Sequence, residues 1–359
     1  MTRAISISLD QFYRPQPGGI ATYVRGLVRG LNSLHDDSLR LVGVAPRGSP
    51  GQDVQDLALE RVRTAPLPLL NRVWARWPLG VPSFSDVVHA TSLAGPFAGG
   101  QRDAVHSVTM YDLLWRDEPE ASTPHGIRFH ERRLQYLKRR DDVRIFCAAP
   151  TLSRRLIDDG FDASRLHDVR LGADDESTIA TSVEHVRSAL AQRGVSGSFT
   201  LYVGTREPRK NLERLIAAHS LARSSQEELG PLVLVGPSGW GSVESADAVV
   251  LGRVSSAMLK GLYRDATVVA YVPRAEGWGL PPVEALSEGT RVVASVTTPS
   301  VADNEEVVLV DPLDVDAIAS GLTTSLTLAN DEAARQRRRT SVATLTWRNV
   351  ALDHLEGWK

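Results

Sequence analysis

The chain has 359 residues, enough for about two domains of ordinary size, and its 42% hydrophobic content supports sizeable cores. With 41 basic against 43 acidic side chains, the net charge of −2 gives no global attraction to nucleic acid or to an anionic membrane, so any such affinity has to come from local patches. The single cysteine, Cys147, sits in the apolar run 143–149 and cannot form an internal disulfide, so a reducing compartment is the simplest setting.

From Met1 the chain enters an apolar segment of only residues 5–9 and then meets Asp10, without the longer apolar core and cleavage site of a secretory signal; a cytoplasmic protein is expected. No run of about eighteen apolar residues occurs, which argues against a membrane span and leaves attachment to a membrane surface open. Segment 5–9 reads as the first strand. Pro17-Gly18-Gly19-Ile20 follows and opens a helix whose Ile20, Val24, Leu27 and Leu31 share one face. Further short apolar runs at 41–45, 87–90, 105–110 and 145–149, separated by helical patterns, give the βαβ rhythm of a parallel sheet. Two stretches in this half, the leucine, arginine and tryptophan mixture at 67–79 and the basic helical run 131–140, suit an anionic acceptor or a lipid surface. The simpler reading, and the preferred one, is an irregular loop packed by its tryptophans and a solvated helix face.

Segment 172–198 starts acidic and polar and then becomes helical near 183–191, which marks a hinge. The strand rhythm restarts at 199–204, 232–236, 267–272, 291–295 and 307–310, so the fold class is α/β with two Rossmann-type sheets. Strand 199–203 leads into Gly204-Thr205-Arg206-Glu207-Pro208-Arg209-Lys210-Asn211, a cationic loop at the edge where open α/β sheets bind ligands. Lys210 offers a compact point charge and the arginines forked donors, both suited to a diphosphate.

The densest signal is Glu276-Gly277-Trp278-Gly279-Leu280-Pro281-Pro282-Val283-Glu284, where a buried strand, a glycine turn and a helix start meet. Glycines let backbone approach a ligand, the amides of a helix start favour phosphate, and Glu276 and Glu284 can each accept hydroxyl hydrogen bonds from a sugar or a ribose. Several other chemistries are absent: there is no dinucleotide fingerprint, phosphate loop, nucleophile elbow or zinc helix. Asp314-Val315-Asp316 looks like a metal-holding acidic pair but opens a helix, where capping explains it.

Together these residues resemble the family-4 glycosyltransferases, retaining enzymes of the GT-B fold. The likeness runs through Gly18-Gly19, residues 88–91 and 108–112, 202–211, 251–254, 276–295 and 309–312. It implies two facing Rossmann-like domains with an interdomain cleft: an acceptor-side domain at 1–172, a nucleotide-sugar-binding domain at 173–345, and a tail at 346–359, with Trp347, that crosses back to the first. It further implies that Glu276, Gly277 and the amides of Trp278, Gly279 and Leu280 hold the donor sugar and distal phosphate, and that Glu284 holds the ribose. Lys210, with Arg206 or Arg209, would neutralise the diphosphate, Gly18 and Gly19 would close over it, and Arg253 and Val254 would border the base. Tyr111 stands where many relatives carry a donor-contacting histidine, and Thr205 where they often carry arginine. The relatives' Pro-Glu-Val segment is replaced by Ser300-Val301-Ala302-Asp303-Asn304-Glu305.

The resemblance thus points to a hexosyltransferase that needs no metal and no cofactor beyond its nucleotide sugar. GDP-mannose is the preferred donor because the Glu-Pro-Arg-Lys-Asn and Gly-Leu-Pro-Pro variants look most like bacterial mannosyl and polysaccharide transferases; UDP sugars stay open. Acceptors are glycans, lipid-linked glycans or small molecules, with no nucleic acid and with peripheral contact at the inner face of the plasma membrane left open. The alternatives are a sugar-nucleotide epimerase of the same architecture and a noncatalytic sugar-nucleotide-binding protein.

Overall fold

The computed structural model describes residues 2–14, 18–50, 54–74, 76–173, 179–239 and 248–359. Pro17 and the acidic start of the hinge segment, residues 174–176, lie outside these. The described chain divides into two compact units, residues 1–172 with 346–359, and residues 173–345.

The first unit is built on seven parallel strands: β1 (Arg3–Ser8), β2 (Leu39–Arg47), β3 (Glu60–Pro66), β4 (Val87–Ala90), β5 (Val105–Met110), β6 (Val143–Cys147) and β7 (Leu166–Asp168). They lie in the order β3-β2-β1-β4-β5-β6-β7. Its central strands carry Ile5, Ile7, Val87, Val88, Val108 and Ile145, all buried, because helices cover both faces of a parallel sheet. The second unit has β8 (Thr200–Val203), β9 (Leu232–Val235), β10 (Ala248–Gly252), β11 (Val268–Tyr271), β12 (Val292–Ser295) and β13 (Val307–Val310) in the order β10-β9-β8-β11-β12-β13. In both sheets the order reverses beside the first strand of the unit, the doubly wound pattern whose switch point opens a crevice at the carboxyl ends of the strands.

The ten strands read from apolar runs are all present, within one or two residues at their ends. Three more, β3, β7 and β10, lie at sheet edges. An edge strand has a neighbour on one side only, so β3 and β7 have no need of a continuous apolar run, whereas β10, Ala-Val-Val-Leu-Gly, does carry one. β3 has the sequence Glu-Arg-Val-Arg-Thr-Ala-Pro and β7 is only Leu-His-Asp.

The last helix, Trp347–Gly357, packs against helix Gly18–Asn32 of the same unit. Gly26 and Gly30 permit this contact: a Cβ on either would collide with Trp347, on its indole ring in one case and its carbonyl in the other. Trp358 is fully buried, and its carbonyl accepts a 2.6 Å hydrogen bond from Arg3. Asp314 caps helix Val315–Thr327 by accepting from the amides of Asp316 and Ala317, so the acidic pair is a helix start.

Candidate functional site

In the second unit the chain leaves β8 through Gly204 and forms a single tight turn, Pro208–Lys210, before helix Leu212–Arg223. Asn211 closes the turn in the left-handed region, at φ 61°. It holds that conformation because its buried amide donates to Val272 O at 3.0 Å and to Pro312 O at 2.7 Å, tying the turn to the end of β11 and to the loop after β13. This bracing aims Lys210 inward, where it is 9% exposed.

Beyond β11 the chain reaches Glu276, whose Oε2 accepts from Lys210 Nζ, from Arg209 at 3.1 Å and from the Tyr271 hydroxyl at 2.6 Å. Lys210 also donates to the Tyr271 hydroxyl at 2.5 Å. Burial alone would raise the Glu276 pKa, but the adjoining Lys210 ammonium and Arg209 guanidinium outweigh it and hold the carboxyl at about 2. Burial pulls the Lys210 pKa down, and Glu276 opposes it. Among the described residues Oε1 takes only the amide of Gly277, at 3.2 Å, and so retains accepting capacity.

The turn after Glu276 runs to Gly279, which at φ 94° caps helix Leu280–Ser287. Pro281 and Pro282 have no N–H, so the anion-binding capacity of this helix start falls on the amides just before them. Those of Trp278, Gly279 and Leu280 donate to nothing among the described residues. Glu284, inside the helix, accepts a 2.6 Å hydrogen bond from Tyr263, and burial raises its pKa.

The Ser300 segment, which departs from the relatives' pattern, braces this turn. Its amide donates to Trp278 O at 3.0 Å and its hydroxyl to Gly279 O at 2.6 Å, while Thr298 Cγ2 stands where a Cβ on Gly279 would go. Tyr271, Tyr263 and Ser300 escape a reading from sequence. The two tyrosines sit in otherwise ordinary strand and helix patterns, and only the carboxylates opposite them mark their use.

Lys210, Arg209 and Glu276 therefore meet in one cluster, with Gly277 to Leu280 adjoining it. Arg206 stands apart: its Nε is buried without a hydrogen-bond partner and it makes no ion pair among the described residues. Thr205 contributes its carbonyl, which accepts from Tyr202 at 3.2 Å. Arg253 is exposed just after β10, next to half-buried Val254. A cavity of about 640 Å³, lined by Ser196, His219, Arg223 and Pro231, opens at the amino-terminal edge of the sheet, away from the cluster.

Gly18, Gly19 and Tyr111 belong to the first unit. Both glycines are exposed at a helix start with open space where a Cβ would lie. Tyr111 donates to Thr91 O at 2.8 Å and lines a cavity of about 250 Å³ with Ile20, Ser92, Asp112, Trp115 and His130. His130 stacks on Trp115 with ring centroids 4.8 Å apart; burial, then Arg14 and Arg133, lower its pKa to about 4. Among the described residues no group of three or more His, Cys, Asp or Glu could hold a metal ion, and no helix is long and apolar enough to cross a membrane.

Residues 198–327 match the family of glycosyl transferases group 1. Over 176 residues the chain is 34% identical to O-antigen chain mannosyltransferase B of Escherichia coli, covering 45% of each. Over 203 residues it is 28% identical to the serotype-specific mannosyltransferase WbdA of Escherichia coli, covering 52% of this chain and 24% of that protein. The matches thus span less than half the length of these relatives. Among solved structures, Anabaena HepE in complex with UDP and glucose superposes with a TM-score of 0.72 at 15% identity, covering 99% of this chain and 98% of that one. Sucrose-phosphate synthase from Thermosynechococcus elongatus gives 0.72 at 19% identity with the same coverage. The chain thus has a GT-B-type fold of two Rossmann-like units, and over part of its length it is similar to the glycosyl transferases group 1 family and to bacterial mannosyltransferases.

Proposed function

We propose that the protein is a retaining hexosyltransferase that moves mannose from GDP-mannose to an acceptor hydroxyl without a metal ion, in glycan, glycolipid or polysaccharide synthesis. The observation that carries this reading is the Glu276 carboxylate, held ionised against Lys210 and Arg209 beside three unpaired amides. The two cations supply positive charge, the amides suit a phosphate, and the free face of the carboxylate suits a sugar hydroxyl. In this reading Lys210 and Arg209 take up charge on the diphosphate as its bond to the sugar breaks. The amides of Trp278, Gly279 and Leu280 hold the distal phosphate, Glu276 Oε1 orients the sugar and Glu284 binds the ribose diol. Arg253 and Val254 border the base, Thr205 and Arg206 line the phosphate side, and Gly18, Gly19 and Tyr111 serve the donor from the first unit.

Chemically, the sugar C1–phosphate oxygen bond breaks and a bond from the acceptor oxygen to C1 forms on the same face. The acceptor proton passes to the leaving phosphate, so no separate base is required. Mannose is favoured by the likeness to mannosyltransferases over 176 and 203 residues of the chain. The test is to incubate the full chain with GDP-mannose or UDP-glucose, mannose-terminated acceptors and a chelator, following nucleotide release and product configuration by nuclear magnetic resonance. GDP release with a retained anomeric configuration is expected. Change of the donor without acceptor would indicate an epimerase, and no turnover with any acceptor would indicate a binding protein; either counts against the proposal.

A further inference from the structure

Residues 61–85, which run from edge strand β3 through helix Leu67–Val73 to the start of β4, carry four arginines (Arg61, Arg63, Arg72 and Arg76) and no acid. The chain as a whole carries −2, so this segment has the opposite sign to the remainder. Arg63, Arg72 and Arg76 make no ion pair among the described residues and are exposed. The same segment holds four of the molecule's exposed large hydrophobics: Trp77 at 68%, Phe84 at 45%, and Leu69 and Leu79 at 43% each.

These side chains are not a poorly packed core. Helix Leu67–Val73 already buries Leu70, and Trp74 just after it, against Val44, four residues apart on one face. Trp74 Nε1 donates to Leu79 O at 2.9 Å, and the Thr64 hydroxyl donates to the same carbonyl at 3.2 Å, so the loop beyond the helix is pinned to the edge of the sheet. With the inner face satisfied, Leu69 and Arg72 point outward from the helix, and Trp77 and Leu79 project from a braced loop. The Arg40 guanidinium lies 4.5 Å from the Phe84 ring, but its charge is matched by Glu60 at 2.8 Å, so the excess positive charge rests on Arg63, Arg72 and Arg76.

An exposed indole with leucines and phenylalanine, beside the three guanidinium groups of Arg63, Arg72 and Arg76 that make no ion pair among the described residues, matches the two layers of a bilayer surface. The cations suit anionic headgroups, and the apolar side chains suit the acyl boundary beneath them. We propose that this edge of the first unit docks on anionic phospholipid membrane. A soluble anionic polymer would satisfy the arginines but leave Trp77, Leu69 and Leu79 in water. A protein partner with an apolar face would leave the excess charge unmatched.

The experiment is co-sedimentation of the full chain with vesicles of phosphatidylcholine alone or with 30% phosphatidylglycerol. Binding to the anionic vesicles only, reversed by salt, is expected. Each arginine near such a surface is worth about fivefold in affinity, so the Arg72→Glu, Arg76→Glu double variant loses at least about 25-fold. Trp77→Ser weakens binding while leaving the salt dependence in place, and neither change alters the thermal melt, because all three side chains are solvent-exposed. No binding of the wild-type chain to anionic vesicles at low salt overturns the proposal. So does unchanged binding of the variants, or equal retention on soluble polyphosphate that ignores Trp77→Ser.

Discussion

Each unit buries a polar cluster, and the two clusters are finished to different degrees. In the first unit Tyr23 is fully buried, with its hydroxyl 2.9 Å from His89 Nε2, 2.7 Å from His354 Nε2 and 2.7 Å from Thr109. Donor counting fixes the protons. His354 Nδ1 donates to Val350 O, so its Nε2 accepts from Tyr23; His89 Nε2–H then donates to Tyr23, its Nδ1 accepts from Ser107, and Ser107 accepts from Trp358. Every polar atom in this set has a partner, both histidines are neutral, and nothing is left for a ligand. The set fastens the last helix to the first unit.

The second cluster is charged and incomplete. Among the described residues, Glu276 keeps one oxygen nearly free, Trp278 Nε1 is buried without a partner, and three amides have no acceptor. A closed network specifies structure, whereas an open one costs stability and is found where something else is to bind. Mutations should therefore separate the two clusters cleanly.

The largest effect is expected from Lys210→Ala. Removing a donor to the developing charge costs about 3 kcal/mol in the transition state, or roughly two orders of magnitude in turnover, with the fold kept. Initial rates at saturating donor measure it, and wild-type turnover would remove Lys210 from the chemistry. Next come Tyr23→Phe and His354→Phe, which leave partners of a fully buried hydroxyl or imidazole unpaired. Each should lower unfolding free energy by about 1–3 kcal/mol in denaturant titrations while donor binding stays as it was.

The pH profiles should differ in the same way. Burial holds His354 at about 3 and His89 well below its ordinary value, with His354 adding to the shift at His89. The unfolded chain takes up these protons near pH 6.5 and the folded chain does not, so stability falls from about pH 6.5 downward. Melting of His354→Phe should show a shallower fall. Glu276 acts at lower pH: its contribution is complete above its unfolded value and is lost as pH falls toward about 2. The smallest effect is assigned to Ser300→Ala, which removes one brace from the glycine turn and should weaken donor binding by several-fold, for about 1 kcal/mol.

The same contrast explains what the sequence discloses. Buried strands such as Val268–Tyr271 announce themselves because both faces are covered, and Glu276 to Glu284 stand out because glycine, proline and acid rarely crowd together by chance. Edge strand β3 and Ser300 do not, since one is half-solvated and the other acts through backbone carbonyls distant in sequence. That Arg209 rather than Arg206 joins Lys210 at Glu276 depends on the turn Pro208–Lys210 and its left-handed Asn211, a geometry that residue types alone leave undetermined.

The most direct test of the open cluster as the donor site is calorimetric titration of GDP-mannose into the full chain with a chelator present, repeated for Glu276→Gln and Tyr23→Phe. Saturable binding is predicted, weakened at least about tenfold by Glu276→Gln, in keeping with a lost charged hydrogen bond, and unchanged by Tyr23→Phe. Equal affinity in the wild type and Glu276→Gln, or no binding at all, would contradict the account.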